Sequence, residues 1–395
     1  MSDTASQIQL AARREIRRPL TILYHHRTRA RDGQSVHIDA LIDALRAAHH
    51  EIVVVGPKRV PATVESLNRK VLPKFIYEIL EFGYNFLELA KLTQAVLRHR
   101  PDALYQRANV FMLSGAWIAR FFKLPFLLEV NAPLTIERSK FGGLSLSSFA
   151  GWTEHAAWRA ADYVLTVTAV LARTVEKASV PRSRIVVMPN GVDLDKLKSI
   201  ATDAAKARLG LGTDLVVGFV GFVRDWHGLE KIVDLLAFET SLSTARFLVV
   251  GDGPACESLR ERARQTGVAD RLIITGVLAH EHLPAYVSAM DIALQPEVTP
   301  YASPLKLFEY MALGRAIIAP DVENIREVLE HEVDSLLFDP GDRAALANAI
   351  RRLAGDEKLR MRLGAAAAAE IATKDLTWRG NAKRVAVLIE DCSNR

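Results

Sequence analysis

From Leu20 onward the sequence alternates short, β-rich apolar runs with amphipathic stretches, and this alternation constrains the fold more than any other feature. Runs that read as strands lie at 20–24, 51–55, 103–105, 126–130, 163–167 and 184–188. A second series lies at 215–220, 246–250, 271–275, 291–294, 316–319 and 335–338. The runs are nearly continuous in apolar residues, as strands of a parallel sheet must be when helices cover both faces. The stretch 36–47 between the first two runs places Ile38, Leu41, Ile42 and Leu45 at the spacing of one buried helix face. Two series of six strands predict an α/β chain of two doubly wound, Rossmann-like domains facing a cleft. Turn residues and charge replace the strand pattern over 189–210, which sets domains at 1–190 and 191–375. Beyond Gly341 the pattern is helical, and the alanine-rich run 365–370 reads as a helix interior.

A chain of 395 residues is too long for one ordinary core, and 49% apolar with 25% charged residues is a globular balance. The net charge of +5 favours anionic partners such as phosphates, nucleic acid or acidic lipid headgroups, without choosing among them. Cys256 and Cys392 are far apart and lack metal-ligand spacing, which argues against a disulfide framework and against zinc. A reducing, cytoplasmic compartment fits. Arg13, Arg14, Arg17 and Arg18 follow a polar start without an apolar block, so no signal peptide is expected. The stretch 111–130 contains Arg120, Lys123 and a proline, and reads as helix, turn and strand rather than a membrane span.

The most informative segment is 300–314, Pro-Tyr-Ala-Ser-Pro-Leu-Lys-Leu-Phe-Glu-Tyr-Met-Ala-Leu-Gly. Ser303 is expected to cap a helix whose first residue is Pro304, where a missing amide hydrogen costs nothing. The next amides then face an anion at the positive end of the helix dipole, and Lys306 adds a mobile cation. Glu309 lies on the same face, one turn deeper. Amides, cation and carboxylate in this order suit a nucleoside diphosphate; a capped helix with a solvated Lys306–Glu309 pair explains the pattern equally well. The strand ending near Val220 runs into Gly221-Phe-Val-Arg-Asp-Trp-His-Gly228, at the end of a sheet where doubly wound folds bind ligands. Arg224 and His227 would project there, although a surface loop with Trp226 packed on the next helix is the alternative. Gly251-Asp-Gly-Pro254 reads as a tight turn. No glycine-rich dinucleotide fingerprint and no lysine-ended phosphate loop is present, which argues against a dehydrogenase and a nucleotide triphosphatase.

In the first half, the basic loop 25–33 precedes a helix bearing His37, Asn131 closes a strand, and Arg107 follows another. All three could hold an acceptor; for His37 a partly buried helix histidine is the alternative.

The segments Ser303-Pro-Leu-Lys-Leu-Phe-Glu-Tyr-Met-Ala312, Val187-Met-Pro-Asn-Gly-Val-Asp193 and Trp226-His-Gly228 together resemble glycosyltransferase family 4 over almost the whole chain. The resemblance implies the GT-B fold, with a final helix over 376–395, opened by Leu376-Thr-Trp378, crossing back to the first domain. It implies a retaining hexosyl transfer from a nucleotide-diphosphate sugar of UDP or GDP type, with no further cofactor and no metal. Carried over, Glu309 grips the nucleotide ribose, while Lys306, Ser303, Pro304 and Leu305 lie near the diphosphate. Gly276, Val277 and Leu278 meet the base through their backbone. The family's first glutamate is replaced by Tyr301, so amides around Ala302 and Ser303, or Glu297, take over its sugar contacts. Arg224 is the displaced equivalent of the family arginine, which is Phe222 here, and His227 stands where a lysine is common. Asn131 takes the place of an active-site histidine. Lys306, Arg224 and Asn131 are the implied catalytic groups, with Arg107 and His37 on the acceptor side. The implied setting is cell-surface or exopolysaccharide glycan synthesis, with a glycan or lipid-linked acceptor and no nucleic acid. An epimerase, a phosphorylase and an inactive sugar-binding descendant share the fold.

The stretch 72–98 carries Phe75, Ile76, Ile79, Leu80, Phe82, Phe86 and Leu87 between basic ends. Such a helix could lie on an acidic bilayer, giving peripheral membrane contact; burial against the sheet explains most of its breadth.

Overall fold

The computed structural model describes residues 18–29, 33–57 and 73–394. Arg13, Arg14, Arg17, part of the basic loop (30–32) and Leu72 lie outside these residues. The chain divides into two compact units. The first contains the described residues up to Pro189, with Tyr301–Ser303 and the C-terminal segment from Trp378; the second contains Asn190–Pro300 and Pro304–Thr377.

In the first unit the strands are β1 (Thr21–His25), β2 (Glu51–Val55), β3 (Ala103–Arg107), β4 (Phe126–Val130), β5 (Tyr163–Thr166) and β6 (Ile185–Val187). They form one parallel sheet in the order β2-β1-β3-β4-β5-β6. The helices are α1 (Gly33–Ala47), α2 (Lys74–His99), α3 (Ser114–Phe122), α4 (Leu134–Phe141), α5 (Ser147–Ala160) and α6 (Ala169–Lys177). In the second unit α7 (Thr202–Arg208) precedes β7 (Val216–Val220), α8 (Glu230–Phe238), β8 (Arg246–Val250), α9 (Cys256–Gln265) and β9 (Leu272–Ile274). There follow α10 (Leu283–Ser288), β10 (Ile292–Leu294), α11 (Leu305–Ala312), β11 (Ala316–Pro320), α12 (Glu323–Arg326) and β12 (Ser335–Phe338). Helices α13 (Ala345–Gly355) and α14 (Glu357–Thr373) complete that unit, and α15 (Trp378–Ser393) returns to the first. The second sheet runs β12-β11-β10-β7-β8-β9, again all parallel.

The second sheet shows why its strands read as unbroken apolar runs. Val217, Phe219, Phe247 and Val249 enter one apolar cluster, while Val216, Leu248 and Val250 enter another. Successive side chains point to opposite faces, so a strand covered on both sides has no polar register to display. Each sheet also has a point where strand order reverses, between β1 and β3 and between β7 and β10. Ligands of doubly wound sheets bind at the carboxyl ends of the strands beside such points. Helix α15 is anchored in the first unit by Asn381, which donates to the Pro189 carbonyl (2.8 Å), and by Asp391, which accepts from the Tyr163 hydroxyl (2.7 Å).

Helix α2 corrects the expectation of simple apolar burial. It buries Glu78, Asn85 and Glu88 and exposes Phe75, Ile79, Leu80, Phe86, Leu87 and Leu97. Its inward polar groups each have work to do. Glu78 accepts the amides of Ser145 and Leu146 (2.9 and 2.7 Å) just ahead of α5, which no residue of its own caps. Asn85 Oδ1 accepts from the amides of Leu113 and Ser114, and Glu88 takes a two-pronged grip from Arg27 (2.8 and 2.6 Å). Buried amides without such partners would cost about 1–3 kcal/mol each, so these polar groups are held inward, beside the buried Leu92, Ala95 and Val96.

Candidate functional site

In the second unit β7 delivers the chain into a loop whose shape depends on backbone contact. Gly221 and Gly251 have φ values of 133° and 146°, which side-chain-bearing residues rarely adopt. A Cβ at Gly251 would stand 2.1 Å from the Gly221 carbonyl oxygen, and one at Gly253 would stand 2.1 Å from that of Val223. The Gly221 amide bonds Val250 O, and the Val223 amide bonds Asp252 O, both at 2.9 Å. The Gly251–Pro254 turn is thus the seat on which the Gly221–Gly228 loop rests.

His227 supports this loop rather than charging it. Its ring is buried, meets Phe219 edge-on at 4.9 Å, and accepts the Arg224 amide at Nδ1 (3.1 Å). Burial, reinforced by Lys306, lowers its pKa to about 3, so the imidazole stays neutral with its proton on Nε2. Arg224, by contrast, is exposed, with its guanidinium 5.0 Å over the Phe222 ring and no ion pair among the described residues.

Helix α11 begins at Leu305 with Pro304 at its cap and no side-chain cap hydrogen bond. The expected Ser303 cap is therefore corrected by one residue: Pro304 holds the extended backbone that precedes the helix (φ −68°, ψ 120°). Lys306 is not the mobile cation expected from sequence. Its ammonium lies 3.8 Å from the centroid of the Phe219 ring and forms no ion pair among the described residues. A Cβ at Gly221 would lie 3.3 Å from it, so the ammonium sits at the carboxyl end of β7. Burial lowers its pKa from the ordinary value to about 7, offset only in part by Glu309. An ammonium partly withdrawn from water without a carboxylate carries a cost that an anion can offset.

Glu309 follows one turn later and pairs with His280 (Nε2 to Oε1, 3.3 Å), whose pKa that contact raises. Sequence reasoning missed His280; its signal is only a histidine two residues beyond the Gly276–Leu278 loop. That loop has Gly276 in the left-handed region (φ 72°), Val277 exposed and Leu278 packed against the cluster that contains Leu307 and Tyr310. Tyr310 was also missed. Its hydroxyl accepts the Val220 amide (2.8 Å) and leans on the Leu294 carbonyl (3.4 Å), which ties α11 to β7 and β10 at the reversal point. Glu297 is half-exposed and faces Lys231 at 3.9 Å.

In the first unit the three expected acceptor-side residues converge on a carboxylate that sequence reasoning passed over. Glu129, fully buried on β4, receives the Arg107 guanidinium, the Asn131 amide, His37 Nε2 (3.1 Å) and the Tyr105 hydroxyl (2.6 Å). Burial alone would raise its pKa; His37 and Arg107 outweigh that and hold it well below the usual carboxylate range. Trp378 of α15 meets the His37 ring edge-on at 4.8 Å. His25 and Arg27, from the basic loop, are likewise turned inward onto Glu88, whose pKa they hold at about 2 against burial. Tyr301, Ala302 and Ser303 group with this unit, where Thr168 donates its hydroxyl proton to the Tyr301 carbonyl (3.0 Å).

The chain is similar to known proteins in sequence and in fold. Residues 31–196 match the model described as Glycosyltransferase Family 4, and residues 214–356 match Glycosyl transferases group 1. The 2-deoxystreptamine N-acetyl-D-glucosaminyltransferase of Streptomyces fradiae is 29% identical over 65% of this chain and 62% of its own length. The α-D-kanosaminyltransferase of Streptomyces kanamyceticus is 28% identical over 55% of this chain and 58% of its own. The chain thus spans about three fifths of these relatives. The structure of Anabaena Alr3699/HepE in complex with UDP superposes with a TM-score of 0.73 at 18% identity, covering 95% of this chain and all of that one. WaaG, a glycosyltransferase involved in lipopolysaccharide biosynthesis, superposes with a TM-score of 0.69 at 15% identity, over 94% and 99%. These two share the GT-B fold. With one domain model matched in each unit, the chain belongs to the family 4, group 1 glycosyltransferases.

Proposed function

We propose that the protein is a retaining glycosyltransferase that moves a sugar from a nucleotide-diphosphate donor to an acceptor hydroxyl. The observation that carries this reading is the partly buried Lys306 ammonium, which forms no ion pair among the described residues and lies in the first turn of a helix whose cap residue, Pro304, makes no side-chain cap hydrogen bond. A diphosphate supplies the missing charge: Lys306 and the amides of Leu305 and Lys306 receive it, and Arg224 reaches it from the neighbouring loop. Glu309, steadied by His280, accepts the ribose hydroxyls, and the loop Gly276–Leu278 meets the base. UDP or GDP is the nucleotide class; that UDP was bound to the Anabaena protein supports the former.

In the proposed reaction the bond between the anomeric carbon and the diphosphate oxygen breaks, and positive charge grows on the sugar. The acceptor oxygen forms its bond on the same face and passes its proton to the leaving diphosphate oxygen, so configuration is retained. No separate base and no metal is needed in this scheme. Lys306, Arg224 and the helix dipole stabilise the departing charge. In the first unit the Glu129 carboxylate orients Arg107, Asn131 and His37 toward the acceptor. A glycan or lipid-linked acceptor, peripheral attachment at the cytoplasmic membrane face and a role in cell-surface polysaccharide synthesis complete the proposal. That WaaG is involved in lipopolysaccharide biosynthesis supports that setting.

A thermal-shift screen with UDP, GDP and ADP and their sugar conjugates tests the reading, since a ligand of the folded state must raise its stability. One nucleotide should shift the wild type and shift Glu309→Ala much less. If none does so at millimolar concentration, and no donor turns over, a sugar-binding descendant without activity replaces the transferase.

A further inference from the structure

We propose that the outward face of α2, continued by aromatic side chains of α3 and α5, is an insertion surface for a bilayer rich in anionic lipid. The proposal deepens the reading of a membrane-borne acceptor by naming the surface and the lipid chemistry.

Helix α2 buries Leu92, Ala95 and Val96 near its C-terminus, but in its first half the inward groups are Glu78, Asn85 and Glu88 and the large apolar side chains point outward. Phe75, Ile79, Phe86 and Leu97 fall within one narrow sector of the helix, and Leu80 and Leu87 flank it. All six are exposed; Phe86, Leu87 and Leu97 each keep more than 60% of their surface in water. The patch does not stop at the helix. Phe86 and Phe82 each meet Trp117 of α3 at 6.3 Å, and Phe82 meets Phe149 of α5 at 4.9 Å. Phe149 stacks on Trp152, which is exposed, and Phe121 is exposed one turn beyond Trp117. Contiguous exposed apolar area of this kind marks an interaction site in a soluble fold.

Charge selects the occupant. Between Lys74 and Arg100 every carboxylate is turned away from the patch: Glu78 onto the start of α5, Glu81 onto Arg138 (2.8 Å), Glu88 onto Arg27. The exposed charges over the same span are Lys74, Lys91, Arg98 and Arg100, all cationic, with Arg120 and Lys123 at the neighbouring end of α3. Phenylalanine, leucine and tryptophan on one side with lysine and arginine at the border is the composition that settles at an anionic interface. Among the described residues no helix is long and apolar enough to cross a membrane, so attachment is to the surface.

The test is co-sedimentation of the intact protein with vesicles of equal parts phosphatidylglycerol and phosphatidylcholine, and with phosphatidylcholine alone. Wild type should partition onto the anionic vesicles, less so as salt rises. The double variant Ile79→Glu, Phe86→Glu should lose about tenfold or more of that partitioning. Lys91→Glu with Arg98→Glu should lose roughly fivefold per charge on anionic vesicles and little on neutral ones. UDP-induced thermal shifts, measured on the same preparations, should be unchanged in both, which separates failure of this surface from failure of the donor site. Wild type left in the supernatant, or variants that bind like it, would overturn the proposal. So would a wild-type dimer in light scattering that the Ile79→Glu, Phe86→Glu variant turns into monomer without any vesicle binding.

Discussion

Two sites, one in each unit, treat charge in opposite ways. In the first, Glu129 and Glu88 are each surrounded by their own cations, Arg107 with His37 and Arg27 with His25. In the second, the partly buried Lys306 lies over the Phe219 ring without an ion pair among the described residues, and Arg224 is exposed. Paired charge holds a scaffold in one arrangement; unpaired buried charge is a standing cost that a ligand can remove. The Glu129 and Glu88 carboxylates are matched by cations of their own unit. The Lys306 site is matched once an anion arrives.

The largest effect that could break this contrast is on stability. Glu129→Gln leaves Arg107 and His37 around an uncharged amide and should cost about 3–5 kcal/mol in urea unfolding, while the nucleotide thermal shift survives. A loss below about 1 kcal/mol would mean that the first unit is not held by its charge pairing. The complementary change is Lys306→Met. It should reduce turnover on the order of 10²–10³-fold yet leave the ligand-free protein equally or more stable, because it removes a buried cation rather than a partner. Reduced stability of the free protein would show that Lys306 is a structural residue.

The same lysine predicts a pH dependence. With a folded pKa near 7 and an ordinary value of 10.5, the unfolded chain binds more protons between the two, so Lys306 destabilises the free protein fully below about 7 and less as pH rises toward 10.5. Diphosphate restores the proton. Nucleotide affinity should therefore fall by up to about tenfold per unit between pH 7.5 and 9, with proton uptake seen by calorimetry in buffers of different ionisation enthalpy. The slope should vanish in Lys306→Met. The smallest effect concerns His280. Its pKa is raised by Glu309, so the stability it adds is present below about 6.5 and is lost as pH climbs through the raised value. His280→Ala should lower stability at pH 5.5 by less than about 1 kcal/mol, given its exposure, and not at all at pH 9.

What the sequence displayed follows from which interactions are local. The twelve strands of the described residues were readable because each is a short run dominated by apolar residues, and that needs only the residues of the strand itself. The placement of Lys306 and Glu309 on one helix, and of Arg224 in the loop after β7, followed from local spacing. Glu129 was not. Its partners Arg107, His37 and Tyr105 come from other elements, and a single acid inside the run Phe-Leu-Leu-Glu-Val gives no local hint of them. His280 escaped for the same reason, since its partner is on α11. The orientation of α2 was misjudged because apolar residues were assumed to face inward, whereas the amides ahead of α5 and the Arg27 guanidinium claim the inner face for carboxylates.

Gly251 and Gly253 carry a consequence for how this protein can vary. Because the loops after β7 and β8 touch backbone to backbone, neither can accept a side chain at the contact or shift by a residue while the other stays in place. Substitution libraries confined to the Gly221–Gly228 loop should therefore recover few functional variants near Gly221 and Val223, and many at Phe222 and Asp225, whose side chains leave the contact. Donor preference can then be retuned only at outward positions, or by replacing both loops as one inherited block.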